Sequence, residues 1–476
     1  MIPRLFFLYI GRVNHYYMKK TARIIVGIVA AALAVAPASA QIGRRFPSEK
    51  KVIKDPKTGV ELVFLTSQQG KGDSKIYQTH NQWTSDGKWV IFRSNRVPGE
   101  AMAVNEESGV MVQVTEGGYS GMLCVARKSM HLYIQRQDMT DQQRAELQQL
   151  RARQRAGEQV QIPRYGWQVV EIDLDRLFKD SEAGKLKGKA AYERICGIIP
   201  AEMCSEGDMA LDGSEQVAYF RLDPDFARKF PIAEPIAPNF GPRNMGAGPG
   251  GIGKIDLRTG KAEPVVSVHF KVGHIQGNPW HPGEVIFCWE TGGKAPQRTW
   301  MVNADGSNLR PIYRETEYDW VTHEAVISED ELVIAILGHR RIAQEERNMD
   351  FSNDWGPSGT KEYATGIAVV NMRTRELTLE GQVDGDNFWH VAGSQDGHWV
   401  AGDDFARELW IVDRHTKERI LLTAGHKTTA QDHVHPTFKP DGTEIEIQSA
   451  MLSEDNRSMN ICIVRLPQEL IDRYKK

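Results

Sequence analysis

The feature that most constrains this chain is a short recurring pattern: a polar turn containing Asp-Gly, then a run of alternating apolar and polar residues. Asp-Gly supplies the positive φ that tight hairpin turns require, and the alternation is typical of half-buried strands. The pattern occurs as TSDGKWVIFRS (84–94), ALDGSEQVAYF (210–220), SQDGHWVAGDD (394–404) and KPDGTEIEIQS (439–449). Companion strands such as WQVVEIDL and TWMVNADG lie between these runs. The pattern predicts a chain built from repeated small β-sheets.

Repeats of this size favour a β-propeller. Seven blades over residues 41–476 leave about 62 residues each, more than the ~40–45 of a compact blade, so insertions are required. Three segments are typical of insertions: a charged helical segment near 138–161, a Pro/Gly-rich loop near 230–253 and a polar loop near 344–360. We predict one all-β domain over 41–476, a propeller of seven four-stranded blades, with its function in the central funnel.

The N-terminus has the pattern of an export signal. From Met18 a basic start is followed by an apolar run over 24–35, then by small residues at Ala38 and Ala40 before Gln41. The run is shorter than the roughly 20 residues of a membrane span. The prediction is a signal peptide over 1–40, with Met18 as an alternative start, and a bacterial protein that is periplasmic or secreted.

Charge and cysteine content narrow the class further. The 59 basic and 62 acidic residues nearly cancel, and no basic stripe with interleaved aromatic residues occurs, so nucleic acid is not an expected partner. The five cysteines show no metal-type pair spacing. Cys196 and Cys204 are close enough in sequence for a disulfide after export, and five buried thiols are the alternative.

A histidine pair in QDHVHPTFKPDG is the first candidate for chemistry. His433 and His435 are separated by one residue, which on an extended segment places both imidazoles on the same face. Two adjacent imidazoles are costly if charged and natural if both bind a metal. Gln431 or Asp432 could add an oxygen ligand. The pair predicts a divalent-metal site, with two surface histidines as the alternative.

Three further candidates occupy the preceding blades. His274 lies at the start of a blade, Arg298 precedes the strand TWMVNADG, and His323 precedes the strand AVISEDELVIAILG. Alone, each histidine is more often structural than functional. At matching entries of successive blades, they and the pair at 433 and 435 are expected to point into one funnel.

Five motifs in a fixed order carry a resemblance to a known family. They are GHIQGNPWHPGEVIFCWE, QRTWMVNADGSN, THE, WHVAGSQDGHWVAGDD and HVHPTFKPDG, over roughly residues 270–450. In these motifs the sequence resembles the oligogalacturonate lyases, which are propeller-fold polysaccharide lyases. The N-terminal half matches only as generic blade repeats of the TolB-like kind. The resemblance implies a lyase that acts on a uronate-containing oligosaccharide.

The resemblance also implies roles for individual residues. His274 is the implied catalytic base, and Arg298 stands where the family has an arginine ahead of its tryptophan. His390 is a further funnel residue, expected to contact the substrate. The implied ligands of a divalent metal are His323, His433, His435 and, as the nearest match to the family's glutamine, Gln431. The implied metal is manganese, with calcium and zinc as alternatives.

The chemistry of such a lyase is coherent with these residue types. The enzyme removes the proton α to a uronate carboxylate and expels the 4-linked sugar, and a metal or an arginine neutralises the developing charge. A neutral histidine is a suitable base near pH 7. Tyr133, Tyr165 and Arg93 are candidates to protonate the leaving oxygen or to hold neighbouring sugars. Other propeller lyases use a histidine and a tyrosine near the first blades, on ulvan-like or rhamnose–glucuronate substrates, which makes His80 the alternative base.

The sequence therefore predicts an exported polysaccharide lyase that cleaves a uronate-containing oligosaccharide by β-elimination, with no membrane span and no nucleic-acid partner. Two alternatives stay open. A non-catalytic TolB-like propeller would bind a protein or an envelope component, and it has no need of these histidines. A propeller hydrolase would require paired carboxylates, for which Asp403, Asp404 and Glu290 are available.

Overall fold

The structure is a computed structural model that describes residues 41–70, 72–241, 243–338, 364–382 and 387–475, apart from the side chains of residues 205 and 206. Across these residues the strands form seven antiparallel sheets, five of four strands and two of five. The predicted all-β propeller of seven four-stranded blades is confirmed.

Blades are numbered in the chain order of their innermost strands, and strands are given from the centre outward. Blade 1 consists of β4 (Asp73–Lys75), β5 (Trp89–Ser94), β6 (Ala101–Asn105), β7 (Met111–Gln113) and β1 (Arg45–Phe46). Blade 2 consists of β8 (Ser120–Val125), β9 (His131–Gln137), β10 (Trp167–Asp173) and β11 (Glu193–Ile199). Blade 3 consists of β12 (Cys204–Leu211), β13 (Val217–Leu222), β14 (Ala247–Asp256) and β15 (Ala262–Phe270).

The remaining blades follow the same order. Blade 4 consists of β16 (Val272–Gly277), β17 (Glu284–Trp289), β18 (Thr299–Asn303) and β19 (Arg310–Pro311). Blade 5 consists of β20 (Asp319–Val326), β21 (Glu331–Gly338), β22 (Gly366–Asn371) and β23 (Leu377–Gly381). Blade 6 consists of β24 (Phe388–Gly393), β25 (Trp399–Asp404), β26 (Leu409–Asp413) and β27 (Arg419–Thr423). Blade 7 consists of β28 (Thr437–Phe438), β29 (Glu444–Ser449), β30 (Asn460–Arg465), β3 (Glu61–Phe64) and β2 (Lys51–Lys54).

Blade 7 joins the two ends of the propeller domain. Its outer strands β2 and β3 come from the N-terminal side, and β3 pairs with β30 in antiparallel register from Leu62 opposite Val464 to Phe64 opposite Cys462. This pairing closes the ring of blades. The described helices are short additions to it: α1 (Asp141–Arg155), α2 (Leu174–Glu182), α3 (Pro224–Ala227), α4 (Gln468–Asp472) and a 3₁₀ helix (Lys189–Ala191).

The Asp-Gly turns lead into the second strands of blades 1, 3, 6 and 7, as the pattern predicts. Gly87, Gly397 and Gly442 have φ values of 69°, 76° and 74°, the left-handed region that glycine tolerates. Blade 3 differs, because its positive φ of 58° falls on Glu215. Gly213 instead permits a close approach to blade 4, where an added Cβ would lie 2.5 Å from the carbonyl oxygen of Asn278.

The core lies between neighbouring blades. Seven clusters of buried apolar residues, all in the described part of the chain, each join two adjacent sheets. On β3, Leu62 and Phe64 pack toward blade 6 while Val63 packs toward blade 1. Alternate side chains of a strand point to opposite faces, so the period of two decides which neighbour each residue contacts.

The predicted insertions near 138–161 and 230–253 lie in connections between second and third strands. Because antiparallel strands alternate in direction, these connections emerge at the end of the ring where the inner strands begin. Segment 138–161 contains α1 within the β9–β10 connection. Segment 230–253 lies at the β13–β14 connection, but β14 begins at Ala247, so 247–253 is strand rather than loop. Segment 344–360 lies outside the described residues.

All five cysteines are buried thiols, so that alternative is correct and the Cys196–Cys204 disulfide does not form. Cys196 lies on the outermost strand of blade 2, whereas Cys204 begins the innermost strand of blade 3. No helix of the described residues has the length and hydropathy needed to cross a membrane. The predicted signal peptide over 1–40 lies outside the described residues.

Candidate functional site

Two clusters of ionisable side chains lie where the inner strands begin, each built around a fully buried carboxylate. The first, called the Glu324 cluster, contains Glu324 of β20. Its Oε1 lies 2.8 Å from Nδ1 of His274 on β16, and its Oε2 accepts a 2.7 Å hydrogen bond from Nε of Arg298. A second carboxylate, Glu290, lies 3.4 Å from Nε2 of His274. An imidazole and a guanidinium therefore stand between two carboxylates.

The surroundings of His274 favour its protonated form. Burial lowers the pKa of its imidazole, but Tyr77, Cys288 and Glu324 together raise that pKa well above its ordinary value. Nδ1 also lies 3.2 Å from Nη2 of Arg298, but a guanidinium can only donate, so a proton on Nδ1 is directed to Glu324. Nε2 is therefore the nitrogen through which His274 can exchange a proton.

The second cluster, called the Asp403 cluster, lies around Asp403 of β25. Its histidines are His323, His390, His433 and His435. Asp403 Oδ1 accepts a 2.6 Å hydrogen bond from the backbone N–H of His390, and Oδ2 lies 3.0 Å from Nδ1 of His433. The ring of His390 stacks on that of His435 with centroids 3.6 Å apart and lies 4.2 Å from that of His323. His390, predicted as a substrate contact, thus lies among the three predicted metal-binding histidines.

The pKa values of His390 and His323 are lowered in this cluster, whereas the pKa of His274 is raised. Burial and the neighbouring His435 lower the pKa of His390 to about 3. Burial and His390 lower the pKa of His323 well below its ordinary value. Burial raises the pKa of Asp403, but His390 and His433 bring it well below its usual range. The cluster therefore favours an ionised Asp403 and the neutral forms of His323 and His390.

The free nitrogens of these imidazoles fit a divalent metal. Nδ1 of His433 faces the buried carboxylate, and Nδ1 of His435 lies 2.9 Å from Oε1 of Gln78, an atom that only accepts. In each ring Nε2 is therefore the nitrogen left to bind a metal. Nε2 of His435 lies 3.1 Å from Asp432, but without the geometry of a hydrogen bond. Support of Nδ1 by a carboxylate or amide while Nε2 faces the metal is usual for histidine ligands.

Another buried nitrogen supports the same assignment: Nδ1 of His323 has no hydrogen-bond partner within the described residues. Two groups have ligand atoms within 4.8 Å of one another: His390, Asp403 and His433, and His274, Cys288 and Glu324. The second group joins His274, whose surroundings favour a bound proton, with a Cys288 thiol whose pKa burial raises to about 11, so it is not prepared for a metal. The Asp403 cluster is the candidate metal centre.

The inner strands break their register where they carry these histidines. Pairing shifts between Gly273 and Gln276 around His274, between Val321 and His323, and between Phe388 and Val391 around His390. Such bulges re-aim a side chain. On β20 the regular alternation resumes after the shift, so His323 faces blade 6 and the next residue, Glu324, faces blade 4.

The backbone also corrects the reason given for the histidine pair. His435 has a φ of 52° and His274 a φ of 50°, so both are in the left-handed region that non-glycine residues rarely adopt. Segment 433–435 is therefore not an extended strand, and its period of two does not orient the rings. The left-handed residue allows both His433 and His435 to contact His390, at 5.2 and 3.6 Å between centroids.

His80, the alternative base, has both ring nitrogens engaged. Nδ1 lies 2.8 Å from Oγ1 of Thr79, and Nε2 lies 2.8 Å from the carbonyl oxygen of Met209. Burial lowers its pKa to about 4. The geometry favours His274 over His80 as the group that exchanges a proton with a substrate.

Arg93 and Gln431 line a separate cavity of about 380 Å³, together with Tyr119. Arg93 donates a 3.1 Å hydrogen bond to the carbonyl oxygen of Gly121, and among the described residues it has no carboxylate within ion-pair distance. Gln431 is exposed, in the loop that precedes the histidine pair. The structure thus brings two predicted residues of different roles into one cavity.

Tyr133 and Tyr165 belong to blade 2. Tyr133 is 3% exposed, packs in the core between blades 2 and 3, and its hydroxyl donates to Glu171 over 2.8 Å. Tyr165 precedes β10 and makes no hydrogen bond or ring contact within the described part of the chain. Neither tyrosine contacts the histidines of the two clusters.

Sequence reasoning missed residues that hold the clusters together, chiefly Tyr77 and Gln78. Their signal is weak, because they lie in the irregular connection between β4 and β5.

Asp403 and Asp404 do not form the carboxylate pair that the hydrolase alternative requires: Asp403 faces the histidines, while Asp404 accepts a 2.9 Å hydrogen bond from Nε1 of Trp410. Adjacent residues of β25 point to opposite faces, so these two carboxylates serve different neighbours.

Comparison with known proteins agrees with this geometry. No family model matches the chain. An oligogalacturonide lyase from Pectobacterium atrosepticum is 22% identical over 219 residues, which is 40% of this chain and 50% of that protein. An oligogalacturonate lyase from Dickeya dadantii is 23% identical over 215 residues, with the same shares. The chain is a distant homologue of the oligogalacturonate lyases.

Solved structures extend the similarity of this oligogalacturonate lyase homologue to most of its length. An oligogalacturonate lyase in complex with manganese has a TM-score of 0.65 at 16% identity, covering 91% of this chain and 100% of that one. An oligogalacturonate lyase from Vibrio parahaemolyticus has a TM-score of 0.63 at 17% identity, covering 90% and 100%. At these identities the structures show the shared fold alone, a seven-bladed propeller. The chain spans about half the length of the curated relatives it matches.

Proposed function

We propose that this protein is a metal-assisted lyase that cleaves uronate-containing oligosaccharides by β-elimination. One observation carries the proposal: His274, whose Nδ1 lies 2.8 Å from Glu324, stands 6.4 Å between ring centroids from His323 at the edge of the Asp403 cluster. A β-elimination next to a carboxylate needs a base at the α-carbon and positive charge at the carboxylate. The two clusters supply these requirements from neighbouring blades.

His274 is the proposed base. Its Nε2 removes the proton α to the uronate carboxylate, while Nδ1–H stays hydrogen-bonded to Glu324 and stabilises the imidazolium that forms. Arg298 is 4% exposed and its guanidinium is committed to Glu324, so we assign it to positioning the Glu324–His274 pair. A free Arg298 would be needed to neutralise the substrate carboxylate directly.

The residues that would hold the metal are His323, His433 and His435, with His390 among them. Gln431, the predicted oxygen ligand, instead lines the cavity of Arg93. A set dominated by imidazoles argues against calcium, which prefers oxygen ligands. Manganese is the proposed metal, as in one of the similar solved structures, and zinc is the alternative. Bound there, a divalent cation supplies Lewis-acid charge that neutralises the uronate carboxylate.

The cavity of Arg93 and Tyr119 is the proposed position of a neighbouring sugar. An arginine without an acidic partner suits a second uronate carboxylate, and an aromatic ring suits the face of a sugar. Oligogalacturonate is the first substrate to test, because the similar proteins are named for it.

We also propose that residues 1–40 export the protein, which N-terminal sequencing of the periplasmic fraction would test.

The test is the absorbance of unsaturated uronates formed from a panel of oligogalacturonates, ulvan-type and rhamnose–glucuronate oligosaccharides, with and without EDTA. We expect a rise on one substrate that EDTA abolishes and Mn²⁺ restores. His274→Ala should abolish it as well. His281→Ala is the matched control, since this histidine of the same blade is partly exposed and pairs with Glu329 at 2.9 Å.

Each outcome separates the alternatives. An activity insensitive to EDTA but lost in His80→Ala would move the base to blade 1. If folded protein loaded with Mn²⁺ gives no absorbance rise on any oligosaccharide of the panel, the result would favour the non-catalytic TolB-like propeller that binds a protein or envelope component.

A further inference from the structure

A tyrosine of blade 1 contacts both clusters. Tyr77 lies between β4 and β5, and its ring centroid is 4.8 Å from that of His274 in the Glu324 cluster. The same ring lies 5.3 Å from His435, 6.2 Å from His390 and 6.5 Å from His323 in the Asp403 cluster. Tyr77 therefore borders the space that the proposed base and the proposed metal ligands share.

The backbone of Tyr77 is held firmly while its hydroxyl is left free. Its carbonyl oxygen accepts hydrogen bonds from the backbone N–H of His80 at 2.9 Å and from Nε2 of Gln82 at 3.3 Å. The next residue, Gln78, is the buried partner of His435. The phenol hydroxyl makes no hydrogen bond with any residue that the structure describes, and the side chain is only partly buried. A bound molecule can therefore use this hydroxyl.

We propose that Tyr77 is the general acid that protonates the leaving sugar oxygen, an inference that rests on the proposed lyase function. In the elimination, the C–H bond α to the carboxylate and the C–O bond to the leaving sugar both break, and a C=C bond forms. His274 takes the proton from carbon, the electron pair of the C–O bond leaves on oxygen, and the Tyr77 hydroxyl gives that oxygen its proton.

The proton balance closes within the site. After the step Tyr77 is a phenolate and His274 an imidazolium, with opposite charges and neighbouring rings. Return of the proton from His274 to Tyr77, directly or through one water, restores both residues without another reactant. A phenol, with an ordinary pKa of about 10, is protonated at neutral pH and can serve as a donor.

The competing interpretation is that Tyr77 only packs the histidines in place. Tyr77→Phe separates the two, because it keeps the ring and removes the hydroxyl. The test compares the best oligosaccharide from the panel with a synthetic uronate that carries 4-nitrophenoxide as the 4-linked leaving group. We expect turnover of the oligosaccharide to fall about 10²–10⁴-fold, turnover of the nitrophenyl substrate to stay near wild type, and Mn²⁺ affinity to be unchanged.

Tyr474→Phe is the control, since this hydroxyl bonds Asp413 outside both clusters. Equal losses on both substrates, or none on either, would overturn the general-acid role while the lyase function stands. A wild type inactive on both substrates would overturn the lyase function and this role with it. Should the Phe variant fold poorly, the wild type still decides: a solvent deuterium isotope effect on the sugar leaving group, absent for nitrophenoxide, is expected.

Discussion

The Glu324 and Asp403 clusters contain the same residue type around the same kind of buried carboxylate, yet their histidines differ in charge. His274 stands between Glu324 and Glu290, and its pKa lies well above the ordinary value. His390 is packed against His435, and its pKa falls to about 3. Two carboxylates beside one histidine favour the cation, whereas burial among other imidazoles favours the neutral forms of His390 and His323.

The difference teaches which histidine can do what. A protonatable ring with one free nitrogen suits proton transfer, and a group of neutral rings held by Nδ1 suits a metal. The two environments are separated only by the width of one inner strand, because His323 and Glu324 are consecutive residues that belong to different clusters.

The largest effects should separate the clusters completely. His274→Ala is expected to lower kcat by about 10²–10⁴-fold, because it removes the base, and to leave Mn²⁺ affinity unchanged. His433→Ala is expected to weaken Mn²⁺ binding, measured by titration calorimetry, as well as turnover. Loss of Mn²⁺ binding in His274→Ala would show that the clusters form one metal site.

A smaller effect should come from the carboxylate that supports the neutral rings. Asp403→Asn is expected to weaken Mn²⁺ affinity by about 10–100-fold, since an amide cannot accept from two imidazoles as a carboxylate does. Asp404→Asn is the matched control on the adjacent residue. Equal affinities in the two variants would contradict the supporting role of Asp403.

The pH profile of kcat/KM tests the raised pKa of His274. kcat/KM should rise with pH as His274 loses its proton, and the Glu324 carboxylate holds that pKa high. Glu324→Gln is therefore expected to move the acid limb to lower pH, by about 1–3 units. Glu331→Gln, which pairs with Arg414 outside the clusters, is the control. An acid limb that stays in place or moves to higher pH would assign it to another group.

The smallest effect concerns stability and a buried carboxylate that lacks a close cation. Glu446 is fully buried, its oxygens have no hydrogen bond within the described residues, and Nζ of Lys75 is 4.0 Å away. Burial raises its pKa from 4.5 to about 8. Between these values the unfolded state binds fewer protons than the folded state, so this group makes stability fall as pH rises.

Glu446→Gln should remove that fall and stabilise the protein on the order of 1–3 kcal/mol at the alkaline end of the window. Chemical denaturation at pH 5 and pH 8 measures it, with the partly exposed Glu444→Gln as control. A difference between the two pH values that survives in Glu446→Gln would assign it to other groups.

Much of the fold could be predicted from local chemistry. Asp-Gly at positive φ followed by alternating strands is a short-range signal, so the blades could be placed before any contact was known. The pair at 433 and 435 was located by spacing alone, but its geometry was not, because the left-handed φ of His435 depends on the bulky neighbours that hold it. Tyr133 was misleading, since an aromatic residue on a strand has the same sequence signal in a core as in a funnel.

The sequence by itself determined the repeated strands, the turns between them and the histidines available for chemistry, because each depends on neighbours within a few residues. Only the tertiary structure decided which histidine is charged, which nitrogens are free and which tyrosine borders them. Those properties depend on partners distant in sequence, such as Gln78 and His435, which are 357 residues apart along the chain and 2.9 Å apart across the ring of blades. Burial and charge act through space, so they exist only once the ring has closed.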